Sequence, residues 1–238
     1  MYGWRKRIGL MVPSTNTVNE PEFYSFVPEG VSVHTARLLY ENEGSDSAET
    51  IQELTDEIDR CTDLLTTANV DILVFACTTA SMMAGADPET GIERRVSDAG
   101  GGIPAVSTAG SVLRALEVLA IDSLVVLTPY SASVGEEVVH FFERTGHDVV
   151  DHRSEEISTE QKGRIPSEQV YRDVTDCEYG DADGIFVSCT NFRTANVIEF
   201  LERDLDRPVV TSNQAMLWDT LRTVGIEYSD GPGRLFRQ

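Results

Sequence analysis

The chain has 238 residues and a 41% apolar fraction, enough to bury a substantial core in one large α/β domain or in two small ones sharing an interface. Its 40 acidic and 19 basic residues leave a net charge of −21, which argues against a nucleic-acid partner. No apolar run approaches the ~18 residues of a membrane span, so no membrane partner is expected.

The opening, MYGWRKRIGLMVPSTN, sets basic residues before a short apolar run with no small-residue cleavage site behind it. It reads as the first core strand of a cytoplasmic protein. Apolar runs then predict strands at Lys6–Val12, Val31–Leu38, Asp71–Ala76, Ala105–Ser107, Ser123–Thr128, Asp148–His152, Gly184–Ser188 and Val209–Thr211. Helical periodicity predicts helices over about Glu49–Ala68, Ala109–Leu119, Ser133–Thr145, Ser167–Cys177, Arg193–Arg203 and Asn213–Thr223. Strands alternating with helices of this length point to parallel sheets and the α/β class.

The pattern repeats. DILVFACTTAS from Asp71 matches DGIFVSCTNFR from Asp183, IGLMVPSTN from Ile8 matches LVVLTPYSA from Leu124, and IPAVSTAG from Ile103 matches RPVVTSNQ from Arg207. Matched segments in one order, offset by 104 to 116 residues, indicate two similar α/β halves rather than a solenoid. We expect one subdomain of residues 1–108 plus 212–238, a second of 109–211, and a pseudo-twofold relation between them. Ligands of open parallel sheets bind beyond the carboxyl ends of the strands. Every matched motif sits at such an end, so all would converge on one cleft.

Cys77 and Cys189 each follow an apolar strand and precede Thr and an expected helix start. There, backbone N–H groups and the helix dipole would favour a thiolate, and the same N–H groups could hold a carboxylate. The alternative is that both are small core residues at strand ends, since free Cys is among the most buried residue types. Matched placement in both halves favours chemistry.

The paired strand-Cys-Thr motifs, the early VPSTNTVNEPEF and the central VVLTPYSASVGEE resemble the maleate cis-trans isomerase branch of the aspartate/glutamate racemase superfamily. That resemblance covers most of the chain. It implies two α/β subdomains with the active site between them, no cofactor and no metal, a small dicarboxylate substrate and a homo-oligomer. It implies further that Cys77 adds as a thiolate to an olefinic carbon, that Cys189 exchanges a proton at the adjacent carbon, and that bond rotation followed by elimination releases the trans isomer. Related decarboxylases keep only the second cysteine, so Cys77 marks this chain as isomerase-like or racemase-like.

Substrate carboxylates would be held by Ser14, Asn16, Thr78, Thr79, Tyr130, Thr190 and Asn191, through side chains or backbone N–H groups. Alternatives stand beside these roles. Asn16 suits an Asx turn, Tyr130 suits a core cap, and Thr78 and Thr190 suit helix N-caps. The resemblance departs at SEEISTEQKGRIPSEQ, where Ser158, Thr159 or Glu160 stands near a position at which relatives carry an Asn.

Other residues weigh less. Cys61 and Cys177 lie in helical patterns without an activating neighbourhood, and the four cysteines and four histidines lack metal-ligand spacing. DAGGGIP, from Asp98 to Pro104, reads as a flexible loop that would serve as a lid over the cleft. The readings that compete with an isomerase are a two-cysteine amino-acid or hydantoin racemase and a non-catalytic carboxylate binder. Dispersed acidic residues on the predicted helix faces suggest a halophilic source. Screening should relieve their mutual repulsion, so the melting temperature should rise between dilute buffer and molar salt. A flat melting temperature over that range would remove the halophilic reading.

Overall fold

The computed structural model describes residues 2–40, 53–85 and 91–238, so the first residues of the helix expected at 49–68 lie outside them. Strand β1 (Lys6–Pro13) shows how the sheets are built. Its side chains alternate, with Ile8, Leu10 and Val12 entering a large core and Met11 a smaller core on the opposite face. Helix α1 (Asn19–Phe26) follows, then β2 (Val31–Leu38), α2 (Ile58–Thr66), β3 (Ile72–Phe75), α3 (Thr78–Met83), α4 (Ile92–Ala99) and β4 (Ala105–Ser107). The second half continues with α5 (Thr108–Val118), β5 (Ser123–Thr128), α6 (Ala132–Arg144), β6 (Asp148–Ser154), α7 (Thr159–Lys162) and α8 (Ser167–Thr175). It closes with β7 (Gly184–Val187), α9 (Ile198–Leu205), β8 (Val209–Thr211), α10 (Ser212–Thr223) and a 3-10 turn at Arg234–Arg237.

Two four-stranded sheets result, ordered β2-β1-β3-β4 and β6-β5-β7-β8, with every pairing parallel. The orders are the same after a shift of four strands. The repeat in the sequence is therefore a repeat in topology, with β5 in the place of β1 and β7 in the place of β3.

The acidic residue that opens each Cys-Thr motif has a structural task at the opposite end of its strand. Asp71 accepts a hydrogen bond from the Arg7 backbone N–H at 2.8 Å, and Asp183 accepts from the Ser123 N–H at 2.9 Å and its hydroxyl at 2.7 Å. Each ties the amino ends of the two central strands of its sheet. The Ser123 side chain and backbone hydrogen bonds hold the Asp183 carboxyl below the ordinary carboxylate range.

Helices α5 and α10 join the halves. They pack on one another, and each touches both β4 and β8. Both start from equivalent caps: Ser107 accepts from the Gly110 N–H at 3.1 Å, and Thr211 forms a reciprocal capping box with Gln214. Across this helix pair Arg114 bonds Asp219 at 2.6 Å and Glu93 at 2.7 Å, and the Ser111 hydroxyl donates to Asp219 at 2.7 Å. Burial opposes the charge on Arg114, but the Glu93 and Asp219 carboxylates outweigh it and raise the guanidinium pKa.

Three expectations need correction. The short helices α1, α3, α4 and α7 were not among the predicted elements. The α1 segment carries a proline in its first turn, α3 is buried over nearly its whole length, and α7 has four residues, so none of these three displays a two-faced periodicity. Helix α9 begins at Ile198 rather than Arg193, leaving a non-helical turn after Cys189. The DAGGGIP segment is not a lid over the cleft: it terminates α4, with the Gly102 N–H bonded to the Ser97 carbonyl at 2.8 Å, and enters the amino end of β4, away from the strand ends that carry the cysteines.

Replacing Asp219 by Ala removes the acceptor shared by Arg114 and Ser111. Because Arg114 is 40% exposed, the full buried-pair cost is discounted. The expected loss is about 1–3 kcal/mol, or roughly 3–10 °C in melting temperature for a chain of this size. Calorimetry checks it, and an unchanged transition would show that the helix pair does not depend on this network.

Candidate active site

The turns at the carboxyl ends of β1, β3, β5 and β7 meet between the two sheets. Cys77, two residues beyond β3, keeps an extended backbone, φ −136° and ψ 114°, and α3 starts one residue later. Cys77 is the N-cap residue of that helix, and the Thr79 hydroxyl is 3.8 Å from Sγ.

Cys189, after β7, differs. Its φ is 91°, in the left-handed region that costs a non-glycine residue about 1–3 kcal/mol. In place of a helix N-terminus, its Sγ receives the Asn191 N–H at 3.4 Å. Glu22 of α1 fixes the turn, accepting from the N–H groups of Thr194 at 2.9 Å and Ala195 at 3.1 Å and from Asn213 Nδ2 at 2.7 Å. Asn213 Nδ2 also donates to the Thr190 carbonyl at 3.1 Å. Burial holds the Glu22 carboxyl above the ordinary range, partly offset by the bonds from Asn213, Ala195 and Thr194.

Thr190 ties the two halves together. Its hydroxyl accepts from Asn16 Nδ2 at 2.9 Å and donates to the Ala76 carbonyl at 3.3 Å. Asn16 also forms the Asx turn: its Oδ1 accepts the N–H groups of Val18 at 3.0 Å and Asn19 at 2.9 Å. The turn and the cross-cleft contact thus coexist in one side chain. Asn191 Oδ1 accepts from the Thr17 N–H at 2.9 Å, and the Thr78 hydroxyl is 3.0 Å from that of Ser212 at the start of α10.

A cavity of about 50 Å³ lies between these turns. Space on this scale holds only a few waters or a small ligand. Cys77 and Cys189, 6% and 8% exposed, both line it. Asn16, Thr78, Thr79, Tyr130, Thr190 and Asn191 line it as well. Ser14 does not: its hydroxyl accepts from the Tyr40 N–H at 3.0 Å, and its neighbours Pro13 and Thr15 form the wall. Tyr130 receives the Ser188 hydroxyl at 3.3 Å.

Sequence reasoning missed Tyr40, Leu54 and Lys162, which also line the cavity, together with Thr159 from the segment where the resemblance departs. Lys162 lies in that same segment and is one of two lysines in a strongly acidic chain, a signal that was legible but unused. Ser158 and Glu160 are exposed. Cys61 and Cys177 stand apart from the cavity; burial pushes the Cys61 thiol up, and the Cys177 thiol to about 11. Among the described residues, no group of three or more His, Cys, Asp or Glu side chains could hold a metal ion. A larger groove of about 710 Å³ lies between α10 and the last residues but is lined by neither Cys77 nor Cys189.

The arylmalonate decarboxylase family model matches residues 8–236. The chain belongs to this family. Within it, the chain is 28% identical to a maleate isomerase of Nocardia farcinica, over 98% of this chain and 96% of the relative, and 25% identical to one of Geobacillus stearothermophilus, over 93% and 92%. Among solved structures, the Nocardia farcinica maleate cis-trans isomerase matches with TM-score 0.89 and 27% identity over 98% of both chains. A C-to-S variant of that enzyme, carrying a covalently bound succinylcysteine intermediate, superposes equally well, with TM-score 0.89 over 98% of both chains.

The two uses of Asn16 can be separated. Asn16→Asp keeps the acceptor for Val18 and Asn19 but sets a charge in the cavity, whereas Asn16→Ala loses the turn. Ala should lower the melting temperature more, by an amount corresponding to about 1 kcal/mol, and Asp should depress turnover more. Equal, mild effects on turnover would leave Asn16 with only its turn-forming part.

Proposed function

We propose that the chain is a cofactor-independent cis-trans isomerase of maleate or a closely related small unsaturated dicarboxylate. The observation that carries this reading is the pair of cysteines facing one small, donor-lined cavity. The relative that holds a succinylcysteine supports it, because a carbon–sulfur bond is the intermediate that cysteine addition requires.

Cys77 is the nucleophile. Its thiolate attacks one olefinic carbon, and the π electron pair shifts to the neighbouring carbon, which takes the proton of the Cys189 thiol. Cys77 then carries a succinyl thioether and Cys189 is a thiolate. The former double bond is now single and rotates. The Cys189 thiolate removes the proton, its electron pair re-forms the double bond, and the carbon–sulfur bond breaks to return the Cys77 thiolate. Charge that builds on the carboxylate next to the protonated carbon meets fixed donors: the Asn16 amide, the Thr78, Thr79 and Tyr130 hydroxyls and the turn of Thr190 and Asn191.

The same proposal covers the setting. The division into residues 1–108 plus 212–238 and 109–211 is supported by the α5 and α10 pair at the junction, and salt adaptation by the charge of −21. No helix among the described residues is long and apolar enough to cross a membrane. A cytoplasmic homo-oligomer is the setting we propose.

Maleate incubated with the chain and a chelator, and followed by proton NMR, should give the vinyl signal of fumarate. Either Cys77→Ala or Cys189→Ala should cut the rate by roughly a thousandfold or more, the scale seen when a nucleophile or its proton partner is removed. Absence of fumarate, with solvent deuterium entering the α-position of aspartate instead, would establish racemase chemistry and overturn the proposal.

A further inference from the structure

Lys162 is 5% exposed and ends the four-residue helix α7 on the wall of the two-cysteine cavity. A buried ammonium is costly unless negative charge or a π face meets it. Its Nζ stands 4.7 Å from the centroid of the Tyr130 ring, within cation–π range, and Tyr130 is itself a cavity residue. The backbone holds it there. At Gly163 a side-chain carbon would lie 2.4 Å from the Thr17 hydroxyl and 2.9 Å from Asn191 Oδ1, so α7 is pressed against the turns after β1 and β7. A side chain at this position would force Thr17 or Asn191 to shift, so glycine suits the close approach that puts Lys162 on the wall. In a chain with a net charge of −21, a buried cation at the reactive cavity also gives an anionic ligand a favourable local site within a repelling surface.

We propose that the Lys162 ammonium binds one carboxylate of the substrate and makes the site selective for dianionic over monoanionic unsaturated acids. This rests on the isomerase reading of the same cavity. The Asn, Thr and Tyr donors are neutral hydrogen-bonding groups and satisfy a carboxylate or an amide alike, whereas a point charge distinguishes them. Lys162 is thus a specificity-determining residue of the reaction.

The test measures binding apart from turnover. In a Cys77→Ala chain, titration calorimetry compares maleate with maleamate, its monoanionic half-amide. With Lys162 present, maleate should bind at least ~10-fold more tightly, as expected for one charge-assisted contact. Adding Lys162→Met should weaken maleate at least ~10-fold and maleamate less than ~3-fold, and Lys162→Arg should recover part of the loss by keeping the charge. Circular dichroism establishes that each variant is folded. If Lys162→Met does not fold, the preference of the lysine-bearing chain decides: equal affinity for maleate and maleamate overturns the proposal. Equal losses for both ligands on Lys162→Met, an unchanged maleate affinity, or no maleate binding by any variant would also overturn it. Failure of the isomerase reading shows separately, as absent fumarate production by the unsubstituted chain.

Discussion

The Thr190 hydroxyl is the point on which the site turns. It receives the Asn16 amide from the turn after β1 and donates to the Ala76 carbonyl beside Cys77, while its own backbone follows Cys189. Three turns from two sheets are thus fixed by one side chain that is 4% exposed. A hydroxyl suits this position because it donates and accepts at once. The closed, water-poor surroundings make each of these bonds stronger, and the loss of any of them more expensive, than at the surface. Below this junction, Asp71 and Asp183 register the sheets at their far ends, and α5 and α10 hold one half on the other.

A repeated fold has produced two unlike thiols. Cys77 keeps the arrangement its motif suggests, with extended backbone and a helix beginning behind it. Cys189 sits at φ 91° with one backbone N–H on its sulfur, in a turn maintained by Glu22 and Asn213. The first setting, extended backbone at the start of a helix, places the thiol at the positive end of a helix dipole, which is the environment the proposed nucleophile needs. The second sets the Asn191 N–H 3.4 Å from the sulfur in a strained turn, a setting that suits the proposed exchange of a proton at a fixed position. The matched motifs differ in their turns rather than in their strands, and the proposed division of duties rests on that difference.

The parts of the fold legible in the sequence were those governed by periodicity. The eight strands and the repeat follow from apolar runs and from segments that recur with the same punctuation, whereas the shared strand order emerged only in the structure. Short or fully buried helices such as α1 and α3 were not legible, because neither proline-bearing nor wholly buried segments display two faces. Within the site, most residues attached to strand ends could be placed in advance, with Ser14 the exception. Lys162 and Thr159 could not, since they reach the cavity from a four-residue helix whose approach depends on the missing side chain of Gly163. Asn16 was framed as a choice between turn and donor, whereas a primary amide can do both with its two ends.

Peptide mass mapping after brief incubation with maleate distinguishes the proposed duties of the two cysteines. In the Cys189→Ser chain, Cys77 can still add to the double bond while proton return is impaired, so a succinyl adduct should accumulate on the peptide containing Cys77. The Cys77→Ser chain should carry none, because a serine hydroxyl without an activating base does not add. An adduct on Cys189 in the Cys77→Ser chain, with none on Cys77 in the reciprocal chain, would contradict the account and exchange the two roles.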